Sequence, residues 1–371
     1  MRRTTEPNPT GELLPAHSAA ARRTPLTISL SLSAIAAILC AAASARADNL
    51  FVTFDSNNPT VEEYASAQIS GSDTGNTFVN GGSSGLNQAN GITIDASGNV
   101  YVANTNVNTI TEYNSGGSLI NTFNSASLDG PASLAFDQFG NLYVANGSDG
   151  EVLKYSASNI ASGGAVTPSV FSSGLGSING LAFDSEGNLY ASDFGDSIVY
   201  KIPAAGGAPA TFISPGDFTT IHEPRGLAFN SQGDLFVANS AINDIEEFSP
   251  LGVAMGVFAT SGENVNNPDG IAFDSSGNLY VVNLSHDSAE GASYGYSSIE
   301  QSSASGTLLN TFNVDTNDAT DGFNLKDGGY VAIENDSGVP LLLVPEPSNA
   351  ALLLLGAGSL IGFSSVRRRR I

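Results

Sequence analysis

Only one cysteine, Cys40, occurs in the 371 residues, and it lies in an apolar N-terminal run. The rest of the chain can form neither a disulfide nor a thiolate metal cluster. Positive charge is almost as scarce. Of 13 Lys and Arg, nine sit near the two ends: Arg2, Arg3, Arg22, Arg23, Arg46 and then Arg367, Arg368, Arg369 and Arg370. The ends also hold three of the 36 acidic residues, Glu6, Glu12 and Glu346. Between residues 48 and 345 this leaves Lys154, Lys201, Arg225 and Lys326 against 33 acids, a net charge of −29. Such a body repels nucleic acid and anionic membrane surfaces, and it accumulates cations. Histidine is rare too. Beyond residue 47 only His222 and His286 occur, neither in a His-Glu-x-x-His spacing. His222 beside Glu223 offers a general base only if a substrate reaches it; a lone loop histidine is ordinarily solvated.

What is abundant is glycine, with 41 residues, set in a repeat. Gly-Leu-Ala-Phe-Asp at 180–184 passes through Gly187 to Asn-Leu-Tyr-Ala-Ser-Asp at 188–193. Alternating apolar residues, an Asp and a Gly read as two short strands joined by a tight turn. The unit recurs from residues 91, 133, 226 and 270, and more loosely from 322, at spacings of 42 to 52 residues. Two further apolar stretches follow each hairpin, the last ending in pairs such as Thr122-Phe123 and Val170-Phe171. Four strands on a period of about 40–50 residues specify an all-β fold, a β-propeller of four-stranded antiparallel blades. Residues 49–53 match a second strand whose first strand is missing. Gly-Phe-Asn-Leu at 322–325 is the expected replacement, so that one end of the chain completes the blade of the other. That arrangement gives six blades. Residues 330–333 and 339–344 are then surplus, and a seven-bladed ring is the alternative.

Residues 1–47 read as a signal peptide. Arg22 and Arg23 precede an apolar run at 26–43, and Ala45 and Ala47 provide the small residues of a cleavage site. An uncleaved anchor is the other reading of that run. Residues 48–343 are the propeller. At the far end Pro345, Glu346 and Pro347 precede an apolar stretch at 349–366, about 27 Å long as a helix and roughly enough to cross a bilayer. Arg367 to Arg370 mark its cytoplasmic end.

This tail, residues 344–371, resembles the PEP-CTERM sorting signal. The resemblance implies a Gram-negative bacterium, transient anchoring in the inner membrane, and processing by an exosortase. It further implies delivery to the outer surface or an exopolysaccharide matrix. The repeat resembles the NHL family, and Leu-Tyr-Val-Ala-Asn at 142–146 is similar to YVTN-type surface propellers. Both imply fold rather than activity.

Before the glycine of successive first strands stand Asn90, Asn179, Arg225, Asp269 and Asp321. First strands line the channel of a propeller, so these residues are expected around one mouth. Asn179-Gly180 and Pro268-Asp269-Gly270 resemble motifs of the gluconolactonase/senescence-marker family, which holds a divalent ion there. That resemblance makes Asn90, Asn179, Asp269 and Asp321 candidate Ca²⁺ ligands. The same dipeptides are ordinary turn signals, and Arg225 opposes a cation, so no cofactor is the favoured expectation. Asp95, Asp137, Asp184, Asn230 and Asp274 recur once per blade in phase with glycine and read as turn residues. Tyr101, Tyr143, Tyr190, Phe236 and Tyr280 recur likewise and read as packing between blades, with sugar stacking as the alternative. Three readings follow: a non-enzymatic surface propeller binding a polysaccharide or surface protein, a calcium- or zinc-dependent lactonase-like hydrolase, and a structural coat component.

Overall fold

The computed structural model describes residues 49–54, 59–64, 75–81, 84–215, 221–260, 265–284, 297–314 and 330–334. The signal segment with Ala45 and Ala47, residues 322–325 and 339–344, Asp321, His286, Lys326 and the sorting tail lie outside the described residues. Blade 1 holds β1 (Asn49–Phe54), β2 (Thr60–Tyr64) and β3 (Asn76–Asn80). Blade 2 is β4 (Ala89–Ile94), β5 (Val100–Asn104), β6 (Thr109–Tyr113) and β7 (Leu119–Phe123). Blade 3 is β8 (Pro131–Phe136), β9 (Leu142–Asn146), β10 (Glu151–Tyr155) and β11 (Ser169–Ser173), with a short helix α1 (Ala157–Ser162) before the last. Blade 4 is β12 (Ile178–Phe183), β13 (Leu189–Asp193), β14 (Ile198–Ile202) and β15 (Ala210–Ile213). Blade 5 is β16 (Pro224–Phe229), β17 (Leu235–Asn239), β18 (Asp244–Phe248) and β19 (Ala254–Thr260). Blade 6 is β20 (Pro268–Phe273), β21 (Leu279–Asn283), β22 (Ser297–Ser302) and β23 (Leu308–Val314). A last strand, β24 (Val331–Glu334), returns to blade 1 in the order β24-β1-β2-β3.

The fold is therefore a six-bladed propeller of four-stranded antiparallel blades. Its closure differs from the sequence expectation. The strand beside β1 is β24, paired through Leu50–Ile333, Phe51–Ala332 and Val52–Val331. Residues 330–333, expected to be surplus, close the ring instead of 322–325. The glycine used to find first strands serves a bulge, and β24 has none. In β4 the pairing jumps from Ala89–Asn104 to Ile92–Val102, so two residues face one. The same shift occurs in β8, β12, β16 and β20. Along β24 the register runs without interruption, and Tyr330 takes the place of the glycine.

The glycine is needed because the next blade comes close there. A Cβ on Gly180 would lie 2.1 Å from the Arg225 carbonyl oxygen, and one on Gly226 2.3 Å from that of Asp269. First strands touch in the cycle β24, β4, β8, β12, β16, β20 and back to β24. Thr93, Ala135, Ala182, Ala228, Ala272 and Ala332, one per blade, contribute to the lining of an axial cavity of about 180 Å³.

Second strands β5, β9, β13, β17 and β21 are buried at every position. Their two faces meet neighbouring blades, which is why their sequence does not alternate between apolar and polar. In blades 3, 4 and 5 the aromatic of this strand packs edge-on between its own outer strand and the next blade. Tyr143 lies 4.8 Å from Phe171 and 5.0 Å from Phe183; Tyr190 lies 4.9 Å from both Phe212 and Phe229. Phe236 repeats the arrangement with Phe258 and Phe273. These rings are almost fully buried, so they serve packing and are not a sugar platform.

The first turn is fixed by its acid. Asp184 Oδ1 accepts from the backbone N–H groups of Glu186 and Asn188 at 3.0 and 2.8 Å, while Gly187 takes φ 82°. Asp184 Oδ2 accepts from the Asn188 amide, the Tyr190 hydroxyl and the Lys201 ammonium. Asp95, Asp137 and Asp274 bind their own turns in the same way. The recurrent acids are structural, as their phase with glycine implies. Among the described residues no helix is long and apolar enough to cross a membrane.

Candidate functional site

The bulges turn Asn90, Asn179, Arg225 and Asp269 out of the ladder at one end of the channel. Blade 3 contributes Ala132 at this level. Blade 1 contributes Tyr330, which is buried among Phe51, Ala89 and Ile92. Its backbone is held in place by Thr53: the Tyr330 N–H donates to Thr53 Oγ1 at 3.0 Å, and the Thr53 N–H donates to the Tyr330 carbonyl at 3.0 Å. Thr53 Oγ1 then donates to the Asn90 carbonyl of blade 2 at 2.6 Å. Blade 4 repeats the device. The Gly180 N–H donates to Ser192 Oγ, which donates to the Arg225 carbonyl at 2.6 Å.

β24 and β12 stand opposite each other in the cycle of six first strands. The Tyr330 side chain spans that distance, and its hydroxyl donates to Asn179 Oδ1 on the far side. Burial pushes the Tyr330 phenol well above its ordinary value, and the nearby Asp269 charge adds to this while Arg225 opposes it. The group stays neutral and serves as a donor. Next to it Arg225 Nη1 lies 3.4 Å from Asp269 Oδ1, and the guanidinium sits 4.8 Å over the Phe194 ring. Burial disfavours the Arg225 charge, but its surroundings taken together, the fully buried Asp269 carboxylate foremost and Glu223 with it, hold the guanidinium above its usual range.

The candidate metal ligands are thus brought to one end but not into one shell. Asn179 accepts from a phenol, Asp269 is paired with a guanidinium, and Asn90 Oδ1 is buried without a hydrogen-bond partner among the described residues. Asp321 lies outside them. Calcium takes six to eight oxygen ligands, and these residues as arranged do not supply such a set. Among the described residues no three His, Cys, Asp or Glu side chains converge as metal ligands. His222 and Glu223 are exposed.

Sequence reasoning missed Tyr330, Thr53 and Ser192. Thr53 and Ser192 replace the Ala or Val found at the same position of the other second strands (Ala103, Ala145, Ala238, Val282), a departure visible once the repeats are aligned. The terminal Asn of those strands was also unread. Asn104 Oδ1 accepts from the Asn87 N–H, Asn146 Oδ1 from Asp129 and Asn283 Oδ1 from Asn266, each pinning the segment that enters the blade.

No protein-family model matches the chain, and no curated protein matches it significantly. Solved structures do. A chain of a nidogen/laminin complex superposes with a TM-score of 0.57 at 15% identity, covering 76% of this chain and 98% of that one. A streptogramin B lyase gives 0.48 at 15% identity, covering 72% and 74%. A gluconolactonase from Xanthomonas campestris gives 0.49 at 15% identity, covering 70% and 86%. At this identity the likeness is one of fold.

Proposed function

We propose that the chain is an exported β-propeller that acts as a non-enzymatic binding or scaffold protein of the cell surface or extracellular matrix. Its PEP-CTERM-like tail is held in the inner membrane until an exosortase removes it. The observation that carries the non-enzymatic part is the filling of the polar mouth. A hydrolase that used this mouth would have to admit its substrate there; here the Tyr330 ring crosses it and the Arg225–Asp269 pair is committed beside it. Ligands then meet the exposed hairpin faces and inter-blade clefts. The export part rests on Pro345, Glu346 and Pro347, the apolar run and the four terminal arginines.

Two measurements test the reading. Replacing Pro345, Glu346 and Pro347 with alanine is expected to leave the full-length form in the membrane fraction; equal release of variant and wild type removes the sorting role. Calorimetric titration with Ca²⁺ and Zn²⁺, with a lactone hydrolysis assay alongside, tests the alternative. Stoichiometric, tight metal binding that is lost in Asp269→Ala and accompanied by lactone turnover makes the protein a metal-dependent hydrolase instead.

A further inference from the structure

The repeat supplies its own control for finding an unusual residue. Two positions after the turn Asp or Asn, the hairpins carry Ser97, Glu186, Gln232 and Ser276, all polar. Blade 3 carries Phe139 there, 72% exposed. The turn does not need it: Asp137 holds the Phe139 N–H at 2.9 Å as Asp184 holds that of Glu186. The ring is not core, and among the described residues the other exposed large apolar side chains, Val107 and the turn residue Leu251 apart, lie on or beside outer strands. Phe139 stands instead on the rim of a cavity of about 190 Å³ between blades 3 and 4, which Lys154, Ser185 and Glu186 also line. The corresponding cleft between blades 5 and 6 is larger, about 350 Å³, and has Gln232 at that place.

We propose that the cleft between blades 3 and 4 binds a neutral pyranose ring of a glycan, with the sugar's C–H face against Phe139. The proposal deepens the binding reading above by naming its ligand class. An exposed, rigid ring beside a small polar cavity suits a flat apolar face bordered by hydroxyls. Lys154 can donate to a sugar oxygen: its ammonium is 5.0 Å over the Tyr143 ring and only 4.0 Å from Asp137, a looser pairing than the 3.2 Å of Lys201 with Asp184. Glu186, in an exposed turn, can accept from hydroxyls. Charge selects against anionic ligands. Asp137, Asp184 and Glu186 line the cleft of a body already at −29, which disfavours uronates and phosphates. An organic cation is left as the charged competitor, with Glu186 the acid most open to it, since Lys154 faces Asp137 and the two aspartates are already engaged by their own turns.

The test is calorimetric titration of the full-length protein with four probes: cellotetraose, mannotetraose, tetragalacturonate and tetramethylammonium. At least one neutral tetraose is expected to bind. Phe139→Ser, which installs the residue that two other turns use, is expected to weaken binding about tenfold or more with an unchanged thermal midpoint. Phe139→Trp should retain it. Three outcomes overturn the proposal: neither neutral sugar binds, binding is indifferent to Phe139→Ser, or only the charged probes bind. Metal binding and tail processing are read separately, so the site can fail while the wider reading stands, or the reverse.

Discussion

The Tyr330 hydroxyl donates across the channel to Asn179 on the opposite blade, so the last described strand is tied to blade 4 as well as to its own sheet. Losing that hydroxyl and losing the whole ring are separable. Tyr330→Phe removes one buried hydrogen bond and is expected to cost about 1 kcal/mol. Tyr330→Ala opens a cavity at the mouth and is expected to cost about 3–5 kcal/mol. Urea unfolding measures both. A Tyr330→Ala protein as stable as wild type would show that the ring does not pack the mouth.

Ring closure depends on β24. A chain stopped after residue 329 leaves β1 without its partner and exposes an unpaired edge, so it is expected to aggregate or remain unfolded. A chain stopped after residue 340 keeps β24 and is expected to fold. Circular dichroism and size-exclusion chromatography distinguish them. Equal folding of both would return the closing strand to 322–325.

Blade 5 inverts the turn chemistry of its neighbours. Asn230 and Asp234 stand where blades 3 and 4 have Asp and Asn; Asn230 Nδ2 donates to Asp234 Oδ2 at 3.1 Å. The carboxylate that elsewhere accepts the second-strand tyrosine hydroxyl is an amide here, and the second-strand residue is Phe236. Asn230→Asp alone faces two carboxylates and is expected to cost about 1 kcal/mol. Adding Asp234→Asn is expected to restore it. Phe236→Tyr should be unfavourable alone and neutral in the swapped background. A thermodynamic cycle over these variants measures the coupling, and strict additivity would refute it.

Much of this architecture could be read from the sequence because the repeat states it five times. Strand order, turn acids and inter-blade aromatics each recur in phase. The closing strand could not be found the same way. Its bulge is absent, so Tyr330 rather than glycine opens it. The mouth was legible as a ring of polar residues, Asn90, Asn179, Arg225 and Asp269. Their commitments were not, since Tyr330–Asn179 and Arg225–Asp269 join residues from different blades. Phe139 was readable as an exception to the repeat, but its meaning needed the cleft beside it.

Acidity gives a further prediction. Burial raises the carboxyls of Glu62, Asp244, Glu247 and Glu300 above their ordinary range. Such a group binds a proton in the folded state first. Stability therefore rises as pH falls through the raised value, and the gain is complete below the unfolded one. Asp184 runs the other way. Burial opposes its charge, but Asn188 and Lys201 together hold its carboxyl below the usual value. Its contribution is present above the unfolded value and is lost as pH falls through the lowered one. The thermal midpoint is expected to rise as the pH falls from neutrality towards the ordinary carboxylate range, about pH 4, and to fall below it. A midpoint that declines steadily from neutrality would contradict the assignment.

The register of β24 on β1 also governs how the ring bears a load. Asn49 and Glu334 are partners at one end of the ladder, and Tyr330 lies beyond the other end. Asn49, which opens β1, and Glu334, which closes β24, thus stand side by side on the side of the first hairpins and away from the Tyr330 mouth. Force applied between these two residues peels the pairs singly, beginning with their own, rather than shearing them together. The closure is mechanically weak in that one direction.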